Sequence, residues 1–188
     1  MTTFELHSAA TAPEGSRDIM ESVEAHVGFL PNIYGVFAES PSVIKAYTSI
    51  TQLLNRGAFS PAEQQLMLLT ASTVNGCEYC VAAHSKAGRT VHLEETVIDA
   101  VRNGTPISDP RMAALYGFTK SVVENRGWVA PDEVDDFIAA GFVKAQVLEV
   151  VLAIALKTIS NYVNHFADAP LDDAFEPDAW QAPSARVA

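Results

Sequence analysis

The residues of this chain that could do chemistry lie close together. Cys77 and Cys80 are the only two cysteines in 188 residues, and His84 follows four positions later. On an α-helix, positions i, i+3 and i+7 share one face, so the three side chains would line up within two turns. Two thiols at this spacing can also close a disulfide, so that one attacks a substrate and the other resolves the adduct. The spacing therefore predicts a redox-active dithiol beside a base.

Thiol chemistry requires neighbouring groups that lower a cysteine pKa, because the thiolate is the nucleophile. A free cysteine has a pKa of about 8.5 and is mostly protonated at neutral pH. Gly76 can end one helix and open the next. Cys77 would then lie in a first turn, where unpaired N–H groups and the helix dipole favour negative charge. His84 could take the proton from Cys80 or pair with its thiolate. The neighbours of the pair thus favour thiolate formation.

Three other interpretations of the pair stay open from the residues alone. A CxxC pair is also half of a zinc site, although such a site normally needs a second pair and the chain has no further cysteine. Both thiols could be inert core residues, with His84 also satisfied in the core. A structural disulfide would close a very short loop and stabilise the fold little. Redox chemistry explains the motif best, and we expect no metal.

Length and composition predict one domain, residues 1–188, with a substantial core. The 12 basic and 23 acidic residues give a formal net charge of −11 without a basic cluster, so nucleic acid is not an expected partner. The amino terminus shows no signal pattern, and the longest apolar stretch, Val147–Leu156, is far shorter than the roughly 20 residues that span a bilayer. We therefore expect a cytoplasmic protein with no membrane partner, where a close cysteine pair is more often catalytic than structural.

Helical periodicity extends from Arg17 to Phe166, and no segment alternates in the way of a strand. This pattern predicts an all-α fold of about eight or nine helices. The predicted helices are roughly 17–27, 31–38, 41–56, 61–75, 77–87, 94–103, 110–126, 131–140 and 144–166. Residues 1–15 and 169–188 lack periodicity, so we predict that they form arms or tails.

Capping residues followed by proline mark three predicted helix starts, at Ser40-Pro41, Ser60-Pro61 and Asp109-Pro110. Ser60 and Glu63 also have the spacing of a capping box. Five glycines stand where helices are predicted to end, namely Gly57, Gly76, Gly88, Gly104 and Gly127.

Two runs of residues make the chain recognisable, Phe59-Ser-Pro-Ala-Glu-Gln-Gln-Leu66 and Asn75-Gly-Cys-Glu-Tyr-Cys-Val-Ala-Ala-His-Ser85. They resemble the core signature of the alkylhydroperoxidase D-like group within the carboxymuconolactone decarboxylase superfamily. The resemblance implies an all-α fold and assembly as a homo-trimer or homo-hexamer. It also implies reduction of hydroperoxides, or transfer of electrons from a dihydrolipoyl carrier to a peroxiredoxin, with no bound cofactor and an external lipoyl-type dithiol as reductant.

The resemblance further implies roles for single residues. Cys80 would be the attacking thiol and Cys77 the resolving one, whereas helix-dipole reasoning alone favours Cys77 as the more acidic. Two positions depart from the family motif, because Gln65 stands where the family has glutamate and Tyr79 stands where its best-known branch has histidine. Gln65 can orient His84 but cannot accept a proton. Tyr79 either acts as a weak acid or packs in the core.

The resulting hypothesis is a thiol oxidoreductase of antioxidant defence that reduces a hydroperoxide or a disulfide. One alternative is a lactone-processing enzyme like the decarboxylases of the superfamily, which do not depend on a cysteine pair. The other is a non-catalytic redox sensor. Turnover of a hydroperoxide with a dithiol donor separates an enzyme from a sensor.

Overall fold

The computed structural model describes residues 3–183, and this part of the chain contains nine α-helices and no strand. The helices are α1 Arg17–Val27, α2 Asn32–Phe37, α3 Pro41–Asn55, α4 Pro61–Val74, α5 Glu78–Thr90, α6 Glu95–Asn103, α7 Pro110–Glu124, α8 Pro131–Ala139 and α9 Lys144–Ala167. A short 3-10 turn, Glu176–Asp178, follows α9. The all-α prediction is confirmed.

The predicted helix starts are confirmed at the level of single hydrogen bonds. The Ser60 hydroxyl accepts from the Glu63 N–H at 3.3 Å, and the Glu63 carboxylate accepts from the Ser60 N–H at 2.9 Å. Ser40 and Asp109 cap α3 and α7 in the same way, each followed by proline. Local chemistry therefore positions the first turn of α4, the helix that carries Gln65.

The prediction that Gly88 ends a helix is wrong. Gly88 lies inside α5, which continues to Thr90. A Cβ at this glycine would lie 3.3 Å from Ile98 Cδ1 and 3.4 Å from Leu93 Cδ2, which is tight for a carbon contact. The missing side chain lets α6 approach α5 closely, so Gly88 is a packing residue.

Helix α4 is the centre of the molecule. It packs against α5, α6, α7 and α9, and nearly all of its side chains from Glu63 to Ser72 are buried. A helix that is buried on all sides must be apolar around its circumference. Because α5 and α9 contact both α4 and each other, the cysteine motif on α5 faces the buried side of α9.

The carboxyl-terminal segment packs on its own chain as far as it is described. Asp178 pairs with Arg89 of α5, and Arg102 of α6 donates to the Asp178 carbonyl at 2.9 Å. Ala169, Asp172 and Phe175 are buried as well. This segment is therefore a strap across α5 rather than a free tail; residues 1–2 and 184–188 of the predicted tails lie outside the described residues.

Helix α9 departs from the usual amphipathic pattern on both faces. Its buried face mixes apolar side chains with the polar ones of Lys157, Ser160 and Asn161, while its exposed face carries an apolar stripe. We define the α9 stripe as Leu148, Val151, Tyr162 and Phe166, which are 72%, 52%, 54% and 60% exposed. Within residues 3–183, α9 is the one helix long and apolar enough to cross a membrane. Its contacts with α3 and α4 are those of a core helix.

Candidate active site

The turn between α4 and α5 presents both cysteines to the interior. Gly76 adopts φ +70°, a left-handed conformation that other residues rarely take, and it directs the chain from α4 into α5. Cys77 is the capping residue of α5, so it lies one position before the predicted first turn, and Cys80 lies within that turn. Both are free thiols, 1% and 3% exposed. The predicted dithiol is thus buried and reduced in this structure.

The pKa values of the two thiols are shifted in opposite directions. A hydrogen bond from Cys77 to the Cys80 sulfur lowers the pKa of Cys80, and the positive charge of Lys157 lowers it further. The same hydrogen bond, together with burial, raises the pKa of Cys77. Both shifts make Cys80 the more acidic of the two thiols, whereas helix-dipole reasoning alone favoured Cys77.

Lys157 is the residue whose positive charge favours the ionised form of the buried Cys80 thiol. Its side chain is 1% exposed, on the face of α9 that packs against α4 and α5. No carboxylate lies within ion-pairing distance of its ammonium in the described chain. A buried charge needs an opposite charge nearby, and Cys80 is the acid on which Lys157 acts. Lys157 is therefore the cation whose charge lowers the pKa of the buried Cys80 thiol.

His84 joins Gln65 to Lys157. Its Nε2 lies 2.8 Å from Lys157 Nζ and its Nδ1 lies 2.9 Å from Gln65 Oε1. An ammonium can only donate and an amide oxygen can only accept, so Nε2 is the bare nitrogen and Nδ1 carries the hydrogen. Burial and the charge of Lys157 hold the pKa of His84 well below its usual value. His84 is a neutral imidazole of one tautomer.

The contacts of His84 extend beyond its own helix. The sequence predicts that His84 takes the proton from Cys80 or pairs with its thiolate. Both of its ring nitrogens instead bind groups from other helices, Gln65 on α4 and Lys157 on α9. The histidine thus positions the lysine, and the lysine supplies the charge that acts on the thiolate.

Polar groups from α9 complete the surroundings of the cysteines. Ser160 and Asn161 both help to lower the pKa of Cys80 through side-chain hydrogen bonds. The Asn161 oxygen accepts from Asn75 at 2.9 Å, whereas its buried amide nitrogen has no other acceptor and is available to the sulfur. Asn164 Nδ2 lies 3.7 Å from the Cys77 sulfur. These donors are oriented towards sulfur before any substrate arrives.

Tyr79 has a structural role. It is 5% exposed, and its hydroxyl donates to Asp172 at 2.5 Å while it accepts from the Ile33 N–H at 3.3 Å. Its ring meets Phe175 edge-on, with 5.8 Å between centroids. Burial and the neighbouring carboxylate raise the pKa of Tyr79. It therefore fastens the strap and α2 to the middle of the cysteine motif, and it is not poised to release a proton.

The sequence reasoning missed the polar residues of α9, although a signal for them was present. Lys157, Ser160, Asn161 and Asn164 recur at positions i, i+3, i+4 and i+7 within an otherwise apolar helix. This spacing places them on one face. A stripe of polar residues along a mostly apolar helix indicates either a face exposed to water or a functional site, and periodicity alone does not distinguish the two.

No group of three or more histidine, cysteine or carboxylate side chains in residues 3–183 is arranged to hold a metal ion. The chemistry available from the described side chains is that of a nucleophilic thiolate, a second thiol that can resolve an adduct, and an ammonium that can neutralise a developing anion.

Comparison with known proteins gives one family model and several solved structures that the chain resembles. Residues 41–121 match the model of the carboxymuconolactone decarboxylase family. No curated protein matches the chain. Among solved structures, an uncharacterized peroxidase-related protein from Ralstonia eutropha JMP134, described as an alkylhydroperoxidase AhpD core, shares 22% identity. Its TM-score is 0.82, over 92% of this chain and 93% of that one.

Two further solved structures have the same fold. The debrominase Bmp8, solved in complex with 2,3,4-tribromopyrrole as a single-residue variant, has 15% identity and a TM-score of 0.78, over 95% of this chain and 96% of its own. A peroxidase-related protein from Silicibacter sp. TM1040 has 17% identity and a TM-score of 0.77, over 93% of each chain. At these identities the likeness establishes the AhpD-like fold, on which enzymes of different kinds are built.

The effect of Lys157 on the pKa of Cys80 yields the first prediction. Replacing Lys157 with methionine removes the buried charge but keeps most of the volume, so the pKa of Cys80 should rise by at least about one unit, equivalent to about 1.4 kcal/mol. The measurement is the pH dependence of Cys80 alkylation by iodoacetamide in a Cys77→Ser background, where Cys80 is the single thiol. The midpoint should lie well below the pH expected for a free thiol with Lys157 present, and should move upward without it.

A matched control uses the same chemistry on the same helix. Lys144 is exposed at the start of α9, so Lys144→Met should leave the alkylation midpoint unchanged. Thermal unfolding of both variants verifies that they are folded. An alkylation midpoint that is the same with and without Lys157 would contradict the pairing.

Proposed function

We propose that this chain, which matches the carboxymuconolactone decarboxylase family model over residues 41–121 and has the AhpD-like fold, is a CxxC-dependent thiol oxidoreductase that reduces organic hydroperoxides. The observation that carries the proposal is a buried site on α4, α5 and α9 that holds two free thiols and a lysine, with Lys157 Nζ 2.8 Å from His84 Nε2. Cys77 and the charge of Lys157 lower the pKa of Cys80 there. A cysteine pKa lowered by specific neighbours is typical of a reactive thiol, whereas two inert core thiols would need no buried lysine.

The first chemical step is attack of the Cys80 thiolate on the outer oxygen of the hydroperoxide. The S–O bond forms, the O–O bond breaks, and Cys80 becomes a sulfenic acid while an alkoxide leaves. The alkoxide takes a proton from the Lys157 ammonium and departs as the alcohol. Lys157 therefore has two uses, because it keeps the nucleophile charged before the step and neutralises the leaving group during it.

The second step is resolution by the neighbouring thiol. Cys77 attacks the sulfur of the Cys80 sulfenic acid, its proton joins the departing hydroxide as water, and the Cys77–Cys80 disulfide forms. An external dithiol then reduces the disulfide and returns one proton each to Cys77 and Lys157. The sum is one hydroperoxide and one dithiol converted into an alcohol, water and a cyclic disulfide.

The raised pKa of Cys77 suits this order of events. A thiol that stays protonated stabilises the neighbouring thiolate and loses its proton only when water is formed. We place the cycle in the cytoplasm, with a lipoyl-type dithiol, free or on a carrier, as the electron donor. A peroxiredoxin is a further acceptor of the same chemistry, because its disulfide presents the same target to a thiolate.

Rival functions differ in their need for the cysteine pair. A lactone-processing or decarboxylating enzyme of the superfamily would leave the buried Cys80 and its cation without a use. A redox sensor would form the disulfide without turnover. The debrominase among the structural neighbours shows that the fold also serves reactions on halogenated pyrroles. The substrate of this chain therefore has to be identified by assay rather than by fold.

The catalytic cycle gives the second prediction. One equivalent of cumene hydroperoxide should remove two hydrogens from the reduced protein by forming the Cys77–Cys80 disulfide, as seen by mass spectrometry. With excess dihydrolipoamide the wild type should turn over, whereas Cys80→Ser should fall to the uncatalysed rate. Cys77→Ser should stop at a sulfenic acid that dimedone captures.

The same experiment separates the rivals. A disulfide that forms once without steady-state turnover identifies a sensor. Thiols that remain fully alkylatable after hydroperoxide treatment would sink the redox function altogether.

Gln65 gives the third prediction. Because Gln65 accepts the Nδ1 hydrogen bond of His84, a glutamate there would hold a negative charge against the ring and raise the His84 pKa. His84 could then serve as a second proton donor to the leaving alkoxide. The kcat of Gln65→Glu with cumene hydroperoxide should rise about 10-fold, the lower part of the range for general acid–base catalysis.

A variant without an acceptor is the control for this change. Gln65→Met removes the hydrogen-bond acceptor and adds no charge, so it should bring no gain in kcat. A rate that is unchanged or reduced in Gln65→Glu would mean that the lysine alone provides the protons for the reaction.

Self-association is part of the proposal and gives the fourth prediction. The described terminal segments pack on their own chain, so the α9 stripe, rather than the arms, is the surface that favours a trimer or hexamer. Burying apolar surface is worth about 25 cal/mol per Å². Light scattering during gel filtration should give three or six times the 20.2 kDa chain mass.

The control for assembly is an exposed apolar residue away from α9. The double variant Leu148→Glu, Val151→Glu should shift the protein towards the monomer, whereas Trp128→Glu, at an 88% exposed position between α7 and α8, should not. A wild type that is monomeric at micromolar concentration would refute the proposed assembly.

A further inference from the structure

A cavity of about 540 Å³ lies between α1 and α3, away from the turn that carries the cysteines. Its apolar lining includes Ile19, Val23 and Tyr34, and its polar lining includes the hydroxyls of Thr48 and Thr51. Charged groups of both signs, Asp18 and Arg56, also line it, together with His26. A site of this size and mixture suits a small, mainly apolar molecule with one or two polar atoms, and it favours neither an anion nor a cation.

Two tyrosines separate this cavity from the active site. Tyr34 lines the cavity, and its ring meets that of Tyr47 edge-on at 5.6 Å between centroids. Tyr47 is 8% exposed. Ser160 lowers the pKa of both Tyr47 and Cys80, and Cys80 in turn affects the pKa of Tyr47, so the inner tyrosine and the nucleophile are neighbours. The contact between the Tyr34 and Tyr47 rings therefore leads from the cavity towards the thiol.

The side of the motif at the start of α5 is covered by the strap. Asp172 holds the Tyr79 hydroxyl, and the Ala182 N–H donates to Glu78 at 3.0 Å. Arg89 and Arg102 fix the strap further along α5 and α6. Cys80 itself is 3% exposed, so a substrate has to enter through some part of its surroundings that can move. The strap is held by the Arg89–Asp178 ion pair and by several hydrogen bonds. Tyr34 and Tyr47 contact each other and Phe37 through their rings, so a route on this side opens by rotation of rings and breaks no ion pair.

We propose that the cavity between α1 and α3 binds the organic part of the substrate, and that displacement of the Tyr34 and Tyr47 rings admits its reactive end to Cys80. The inference rests on the proposed function and narrows it to uncharged organic hydroperoxides, whose apolar group would occupy the cavity while the peroxide group passes Tyr47. Burial raises the pKa of both tyrosines, so their hydroxyls remain hydrogen-bond donors for the peroxide oxygens. Hydrogen peroxide, with no organic part, gains nothing from the cavity.

The test fills the cavity from α3. Thr51 lines it, whereas Ser49 is exposed on the same helix and does not. We expect Thr51→Trp to lower the ratio of kcat/KM for cumene hydroperoxide to kcat/KM for hydrogen peroxide by about 10-fold or more, a typical effect of losing an apolar pocket. Ser49→Trp should leave that ratio at the wild-type value. A ratio that is unchanged in Thr51→Trp overturns the proposal.

A second measurement does not depend on turnover. In a Cys77→Ser background, Cys80 is alkylated by iodoacetamide, which is small, and by N-phenylmaleimide, which is bulky. Filling the cavity should slow the bulky reagent at least about 10-fold more than the small one if the route is correct. Equal slowing of both reagents, or of neither, overturns the route. Size-selective slowing in a protein that reduces no hydroperoxide would show that the route holds and that the proposed function fails.

A variant on the facing helix keeps the test decisive if Thr51→Trp does not fold. Ser22 lines the cavity from α1, and Ala25 is exposed on α1 outside it. Ser22→Trp should reproduce both selectivity changes, and Ala25→Trp should reproduce neither. Selectivity that changes equally in the two α1 variants overturns the proposal.

Discussion

The structure depends on a buried lysine that forms no ion pair with a carboxylate in the described chain. Removing an ammonium from water is costly, and the neighbours of Lys157 are the His84 ring nitrogen at 2.8 Å and the Cys80 thiol, whose pKa its charge lowers. His84 is neutral because burial disfavours its charged form and because a protonated imidazole would stand 2.8 Å from a second positive charge. Nucleophile, cation and imidazole therefore form one electrostatic unit.

Three helices have to meet for this unit to exist. α5 supplies the thiols and His84, α4 supplies Gln65, and α9 supplies Lys157 and the amide donors. The positive φ of Gly76 allows α4 to turn directly into α5, which keeps Gln65 and His84 within hydrogen-bond distance. The buried polar side chains of α9 have their interaction partners at this site. On its outer face the Phe166 ring meets Phe4 at 5.4 Å between centroids, while Leu148 and Val151 remain exposed. In the proposed function the two faces give α9 both a catalytic and an assembly role.

Gln65 has a consistent physical role in this site. A carboxylate beside Nδ1 would draw a proton onto His84, whereas the amide oxygen holds the ring neutral with Nε2 free to accept from Lys157. The positive charge thus resides on the lysine.

Much of the fold was determined locally and could be predicted from the sequence. Ser40, Ser60 and Asp109 cap helices through bonds to residues three positions away, so their effect is visible in a short window of sequence. The cysteine motif is equally local, because its three members lie within two turns of one helix. Gly88 is the exception among these local signals, since its small size serves a contact with Ile98 on the next helix rather than a helix end.

The tertiary structure alone decided the electrostatics of the site. Lys157 is 73 residues from His84 in sequence, and Asp172 is 93 residues from Tyr79. Such pairings follow from how α4, α5 and α9 pack, and no local pattern encodes them. The sequence by itself determined that a dithiol and a histidine share one helix face. Which thiol ionises, which group stabilises it and what Tyr79 holds depend on burial and on distances between helices, because a pKa responds to every charge and donor around it in space.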